Sequence, residues 1–219
     1  MHVLIINGSP RVQKYSNTDK IITKLVMGMK ETDPNISTEL YSISDHKCWD
    51  DARKAFMDID EIVIALPLYF ECIPGLLLEF LTTLPKKNGG KISFVLQSGF
   101  AEASQLRCCE EYLKTLPSKL GCSYGGTLLK GDNFSIRFFD DAMVEKVTGP
   151  YVEMGKVYGR DHDFESDEVK KFAGPEYFGF FMRGFIGLMF KTFAAKMFRK
   201  IAKDWGCEQD LRYKAYQDS

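Results

Sequence analysis

The chain has 219 residues, 45% of them hydrophobic and 27% charged, with a formal net charge of -1 at pH 7. That suffices for one α/β domain with extensions and is short for two full domains. The near-balance of charge excludes the basic excess that a nucleic-acid partner calls for, and no run reaches the roughly 18 uncharged apolar residues of a membrane span.

The apolar start, His2 to Ile6, is too short for the core of a signal peptide and lacks a basic lead-in, so a cytoplasmic location is expected. The longest apolar stretches are interrupted by Glu71 and Pro74, or by Arg183 and Lys191. The cysteines Cys48, Cys72, Cys108, Cys109, Cys122 and Cys207 show no CxxC spacing. Zinc and redox-pair readings are therefore weak, and reduced, mostly buried thiols are expected.

The first half alternates strand and helix signals, the mark of a parallel sheet with crossover helices. His2 to Asn7 is a continuous apolar run, as in a strand covered on both faces. A loop from Gly8 to Ser16 leads into a helix that carries Ile21, Ile22, Leu25, Val26 and Met29 on one face. Ser16 or Asn17 caps it, and Asp19 suits its positive end. A second strand spans about 37–43, and a short helix about 51–57. Glu61 to Leu66 forms the third strand. A helix from Ile73 to Leu84 follows, with Pro74 near its first turn. Lys91 to Gln97 is the fourth strand. The next helix carries Leu106, Cys109, Leu113, Leu116 and Leu120; Pro117 is placed to kink it, and Gly121 ends it. Tyr124 to Leu129 closes the set.

These five strands suit the doubly wound order 2-1-3-4-5. Ligands of such sheets sit at the carboxyl ends of the strands, where the order reverses, so the loops after strands one, three and four share one crevice. The first is Gly8-Ser9-Pro10-Arg11, then Ser16-Asn17-Thr18 at a helix mouth. Hydroxyls, an amide, a cation and a helix N-terminus there suit a phosphate. It is neither GxxxxGK[ST] nor GxGxxG. The second loop, Pro67 to Gly75, exposes Tyr69 and Phe70, which can flank a planar ring system. The third, Gln97 to Ser104, contains Gly99, which allows close backbone approach. An ordinary capping turn or core packing accounts for each loop taken alone.

Together, Gly-Ser-Pro-Arg with Ser-Asn-Thr, Pro-Leu-Tyr with Pro-Gly, and Ser-Gly-Phe-x-Glu resemble the NADPH-dependent FMN reductase family of the flavodoxin-like superfamily. The resemblance covers about residues 1–131. It implies a flavodoxin-like FMN-binding domain there and a helical C-terminal extension, 132–219, packing on the domain or on a neighbouring subunit. By that resemblance Ser9, Arg11, Ser16, Asn17 and Thr18 hold the FMN phosphate. Pro67, Leu68, Tyr69 and Phe70 line the isoalloxazine, and Ser98, Gly99 and Phe100 approach its other edge. NAD(P)H is the implied co-substrate, and the acceptor a quinone, nitro compound, free flavin or metal. The flavin carries the redox chemistry, so no catalytic side chain is expected, nor a resident metal. His46 and His162 fall outside the crevice. Two other readings stand beside this one: a flavodoxin-like electron carrier, against which the net charge argues, and a non-catalytic interaction module.

The remainder differs in composition. Asp140 to Lys171 holds nine Asp/Glu against five Lys/Arg. Beyond it, Met182, Ile186, Met189, Phe193, Met197 and Ile201 recur at three- or four-residue steps as one helical stripe. Arg183, Lys191, Lys196, Arg199, Lys200 and Lys203 supply positive charge beside it. A subunit interface in a homodimer or tetramer, or packing on its own domain, is the main expectation for this stripe. Contact with a membrane surface is the competing one.

Overall fold

The computed structural model describes residues 1–70, 72–209, 213, 214 and 216; Glu71, in the loop after the third strand, lies outside them. Strands β1 (His2–Asn7), β2 (Ser37–Ser42), β3 (Glu61–Pro67), β4 (Lys91–Gln97) and β5 (Ser123–Lys130) pair in parallel in the order β2-β1-β3-β4-β5. This is the expected doubly wound order, and it places the reversal between β1 and β3. The three inner strands are apolar runs buried on both faces. Their side chains alternate between two cores, as the period of two requires. Leu4, Ile6, Ile62, Ile64, Phe94 and Leu96 face one core; Val3, Ile5, Val63, Ala65 and Val95 face the other.

Helices α2 (Trp49–Asp58), α3 (Gly75–Thr82) and α4 (Ser104–Lys119) cover the first face through residues such as Phe56, Phe80 and Leu113. Pro117 lies in the last turn of α4 and its carbonyl accepts from Leu120 and Cys122, so it takes part in ending the helix. The second face is covered by α1 (Asn17–Thr32) and α6 (Pro150–Asp161), through Ile21, Leu25, Met29, Tyr151, Met154 and Tyr158. α1 and α6 cross at glycines. A Cβ on Gly28 would stand 1.9 Å from the carbonyl oxygen of Val152, and one on Gly155 would stand 2.1 Å from that of Leu25. Only glycine permits so close a backbone approach.

α5 (Asp141–Thr148) and α7 (Asp167–Phe172) flank α6. Phe164 donates its main-chain N–H to Gly125, 2.7 Å away, and so covers the outer edge of β5 that would otherwise be open to pairing. The first compact unit therefore continues past the compositional shift near residue 131 and runs from Met1 to Glu176; Tyr177–Ser219 form a second.

The second unit contains α8 (Phe180–Met189) and α9 (Ala195–Asp204), joined by a π-helical turn over Phe190–Ala194. The wider turn shifts the angular register, so the six-residue stripe expected from spacing does not run straight. No helix among the described residues is long and apolar enough to cross a membrane.

The cysteines are all free, but the expectation of mostly buried thiols is corrected. Cys109 and Cys122 are buried and Cys48 is half-buried, whereas Cys72, Cys108 and Cys207 are exposed. Cys108 immediately precedes the core-facing Cys109 in α4, and the helical period turns it outward.

Candidate active site

The loop after β1 is organised by Asn7, the last residue of that strand and fully buried. Its Oδ1 accepts from the N–H of Ser9 at 3.1 Å, and its Nδ2 lies 3.5 Å from Asp19 Oδ1. Ser9 Oγ accepts from the N–H of Arg11 at 3.3 Å. Ser16 Oγ accepts from the N–H of Asp19 at 3.2 Å, so Ser16 is the cap and Asn17 the first helical residue. Thr18 Oγ1 accepts from Gln97 Nε2 at 3.3 Å. Ser9, Ser16 and Thr18 are each buried and each use the oxygen as an acceptor. Each hydroxyl therefore keeps its hydrogen to donate. The first amides of α1 also lack intrahelical acceptors, by helix geometry. Donors and the positive end of a helix meet here, which is the chemistry of an anion cradle.

Asn17 departs from its expected part. Its Nδ2 donates to the main-chain carbonyl of Asn133 at 2.8 Å, and its buried Oδ1 has no partner. The side chain thus offers an acceptor. A phosphate oxygen would not satisfy it, whereas a hydroxyl of the kind a ribityl chain carries would.

In the second loop, Pro67 closes β3 opposite Gln97, and Leu68 continues the pairing by donating to Gln97 O at 2.7 Å. Pro67 and Leu68 are buried. Tyr69 and Cys72 then bond to each other through their main chains, a tight reversal with Phe70 at its tip. Phe70 has φ of 58° and is 83% exposed. A bulky side chain in the left-handed region is strained.

In the third loop, Ser98 is buried and its Oγ accepts from the N–H of Phe100 at 3.1 Å. The residues after β5 hold this loop from behind. Phe100 O accepts from Asp132 N, and Ser98 O from Asn133 N, both at 2.9 Å. A Cβ on Gly131 would stand 1.9 Å from Phe100 O. The open side of Gly99 faces Phe134, whose Cβ is 3.0 Å from where a side chain would begin. Phe100 itself is exposed.

The three loops are joined across long stretches of sequence. Arg11 Nε donates to Tyr69 Oη at 3.4 Å, linking the first loop to the second. Thr18 and Gln97 link the first to β4, and Asn17 and Asn133 link it to the turn after β5. The fold thus brings the twelve expected residues to one end of the sheet.

Sequence reasoning missed three contributors. Gln97, a polar residue closing an apolar strand, was visible as a signal. Asn133 is buried, donates to Lys130 O and to the hydroxyl of Tyr151, and nothing in its local sequence marks it. Arg137 sits in a 3-10 turn (Phe134–Phe138) with its guanidinium 4.8 and 4.4 Å from the ring centres of Phe134 and Phe138. Burial, and then the like charge of Arg11, hold its pKa below the ordinary arginine value. The like charge of Arg11 is thus felt at Arg137, a repulsion that an anion bound between such groups would relieve.

The histidines lie elsewhere. His46 packs on Trp49 with ring centres 4.5 Å apart, and His162 ends α6 in the left-handed conformation. Among the described residues, no group of three His, Cys, Asp or Glu side chains could hold a metal ion.

The sequence model of a family described as "NADPH-dependent FMN reductase" matches residues 1–126. Solved structures of similar fold include an azoreductase from Bacillus anthracis str. Sterne, 14% identical over 74% of this chain and 99% of that one, with a TM-score of 0.52. An FMN-dependent NADH-azoreductase from Bacillus anthracis str. Ames Ancestor, in complex with FMN, is 17% identical over 71% of this chain and 97% of that one, with a TM-score of 0.51. An NADH:FMN oxidoreductase (EMOB), in apo form, is 15% identical over 77% of this chain and 92% of that one, with a TM-score of 0.55. At these identities the likeness is one of fold. No curated protein matches the chain.

Proposed function

The chain belongs to the NADPH-dependent FMN reductase family, and from that premise we propose that it reduces a small-molecule acceptor at the mouth formed by the loops after β1, β3 and β4. Family membership makes it an NAD(P)H-dependent oxidoreductase with FMN as cofactor and NAD(P)H as co-substrate. When bound, FMN supplies a ring that accepts a hydride from the nicotinamide and passes electrons on.

The observation that carries the reading is the donor set of the first loop. Ser9, Ser16 and Thr18 each keep a hydroxyl hydrogen at the positive end of α1, which fits a phosphate ester. In this reading Arg11 adds the permanent charge at the mouth, and Asn17 accepts from a hydroxyl of the chain that joins phosphate to ring. Pro67, Leu68, Tyr69 and Phe70 line one side of the ring, and Ser98, Gly99 and Phe100 the other. Tyr69 and Phe100 are exposed at the same mouth and would flank a planar acceptor. A hydride moves as one unit, so the step needs no side-chain acid or base; the residues position and exclude water.

We further propose that residues 1–131 form the FMN-binding domain and 132–219 a helical C-terminal extension. We place the protein in the cytoplasm as a homodimer or tetramer. Quinones, nitro compounds, free flavins and metals are the acceptor classes to assay. The test is spectroscopic. Purified protein should show the visible bands of bound oxidised flavin, or acquire them with FMN, and anaerobic NADPH or NADH should bleach them. Bleaching by dithionite but by neither nucleotide would make it an electron carrier instead.

A further inference from the structure

From Tyr177 to Lys203 the chain contains seven phenylalanines, six Lys/Arg and no acidic residue. The charge of the protein is segregated accordingly. Residues from 177 onward hold eight Lys/Arg against four Asp/Glu, whereas residues 1–176 hold twenty-one against twenty-six.

We propose that this segment is an anchor for an anionic lipid surface, with α8 entering the boundary between headgroups and acyl chains and the basic face of α9 resting on the lipid phosphates. The proposal stands apart from the flavin reading and does not require it.

Three observations favour lipid over a protein groove. First, α8 is apolar around most of its circumference. Its one charged residue is Arg183, and every residue except Ile186 is exposed. Phe180 and Phe181 are 87% and 90% exposed and point about 100° apart, while Phe185 and Leu188 extend the surface further round. A groove covers one stripe of a helix; the acyl boundary covers a wide sector.

Second, the segment is built to enter and stop. α8 has ten residues, roughly 15 Å at about 1.5 Å per residue, well short of a hydrocarbon core of about 30 Å. Basic residues begin immediately after it, at Lys191.

Third, α9 separates charge from apolar surface. Lys196, Arg199 and Lys203 share one side at helical spacing, with Lys200 beside them, and Met197 and Ile201 take the other. Trp205, next in that apolar row, is 71% exposed, the residue type that settles at a headgroup boundary. Among the described residues none of these four cations is paired with a carboxylate. The rest of the chain is net negative and gains nothing from an anionic surface, so the attraction has to come from here. A second copy of the segment would bring like charge against like.

The experiment is flotation of the full-length protein with vesicles of phosphatidylcholine alone, and with about one third phosphatidylglycerol. The protein should float with the anionic vesicles and stay behind with the neutral ones, and about 1 M salt should weaken binding. Trp205 emission should shift to the blue on binding, while the buried Trp49 stays constant. Replacing Lys196, Arg199, Lys200 and Lys203 by Gln should lower the partition coefficient by about fivefold per charge. Phe180→Ser with Phe181→Ser should abolish it, and both variants should bleach normally with NADPH in solution if the flavin reading holds. Failure to bind either vesicle overturns the proposal, as does equal binding to both. So does an oligomer that the phenylalanine variant dissociates while vesicles capture nothing, which would make a second copy the occupant.

Discussion

Asn17, the first residue of α1, donates its side-chain amide to the main-chain carbonyl of Asn133, 2.8 Å away in space and 116 positions away in sequence. Asn133 in turn donates to the hydroxyl of the buried Tyr151 on α6. The mouth of the candidate site is thus tied to a helix on the second face of the sheet. Burial holds the Tyr151 hydroxyl well above its ordinary pKa, so it stays neutral and able to accept this bond across the working pH range.

Asn17→Ala should therefore act twice. It leaves the Asn133 carbonyl short of a donor, at about 1–3 kcal/mol, and removes the acceptor proposed for the ribityl chain. Thermal melts of the apoprotein should fall by a few degrees, and FMN affinity should fall as well. A lower melting point with unchanged FMN affinity would leave Asn17 a structural residue only.

Arg11→Ala separates the two effects. The one described hydrogen bond of its side chain is the long contact to Tyr69, so apoprotein stability should change little. FMN affinity should drop about ten- to a hundredfold, the usual loss for a charge-assisted hydrogen bond of about 1.5–3 kcal/mol. Fluorescence titration with FMN measures it, and an unchanged dissociation constant would sink the role of the first loop's cation.

Arg137→Ala should change the empty protein little and anion binding more. Removing one of two like charges relieves repulsion, while lost ring contacts at about 0.5–1 kcal/mol offset that gain. The apoprotein melting point should stay nearly constant. Binding of an anion in the cradle should weaken, with a smaller dependence on salt. A large fall in melting point with unchanged FMN affinity would make Arg137 a packing residue.

Gly28→Ala should be severely destabilising although alanine is the better helix former by about 1 kcal/mol. The new methyl would meet the Val152 carbonyl at 1.9 Å, backbone that cannot swing aside. Overpacking of this kind costs about 1–3 kcal/mol and occasionally more, and denaturant unfolding should show a loss at the upper end. A stability equal to the parent protein would mean that α1 and α6 do not cross as described.

Thiol labelling should sort the cysteines into two groups. Cys72, Cys108 and Cys207 are exposed and should react promptly. Cys109 and Cys122 are buried, and burial pushes the Cys109 thiol up to about 12, so both should react only on unfolding. Prompt modification of all of them in the native protein would contradict the packing of α4 against β5.

The sheet and the position of the site were legible because their signals are local. An apolar run such as Glu61 to Leu66 announces a buried strand, and the doubly wound order puts the loops after β1, β3 and β4 together. The cap of α1 was narrowed to Ser16 or Asn17 for the same reason, and the structure selects Ser16. Contacts between distant segments were not. Nothing near Asn133 says that Asn17 will meet it, and nothing near Arg137 says that it feels the charge of Arg11. The glycines of α1 and α6 look like weak helix residues until the two helices are seen to cross on them. The π turn was hidden because spacing alone assumes a regular helix.

The crossing of α1 and α6 also governs when the protein can finish folding. During synthesis the strands and their loops emerge first, yet the face of α1 that holds Leu25, Gly28 and Met29 stays wet until residues 150–161 have left the ribosome. A contact of such long sequence separation forms late and slowly. The stretch that the family shares, residues 1–126, therefore ends before α6, the helix that crosses α1, is reached. A fragment cut there should express as an aggregation-prone intermediate, and any transplant of this flavin-binding module into another protein would have to carry α6 with it.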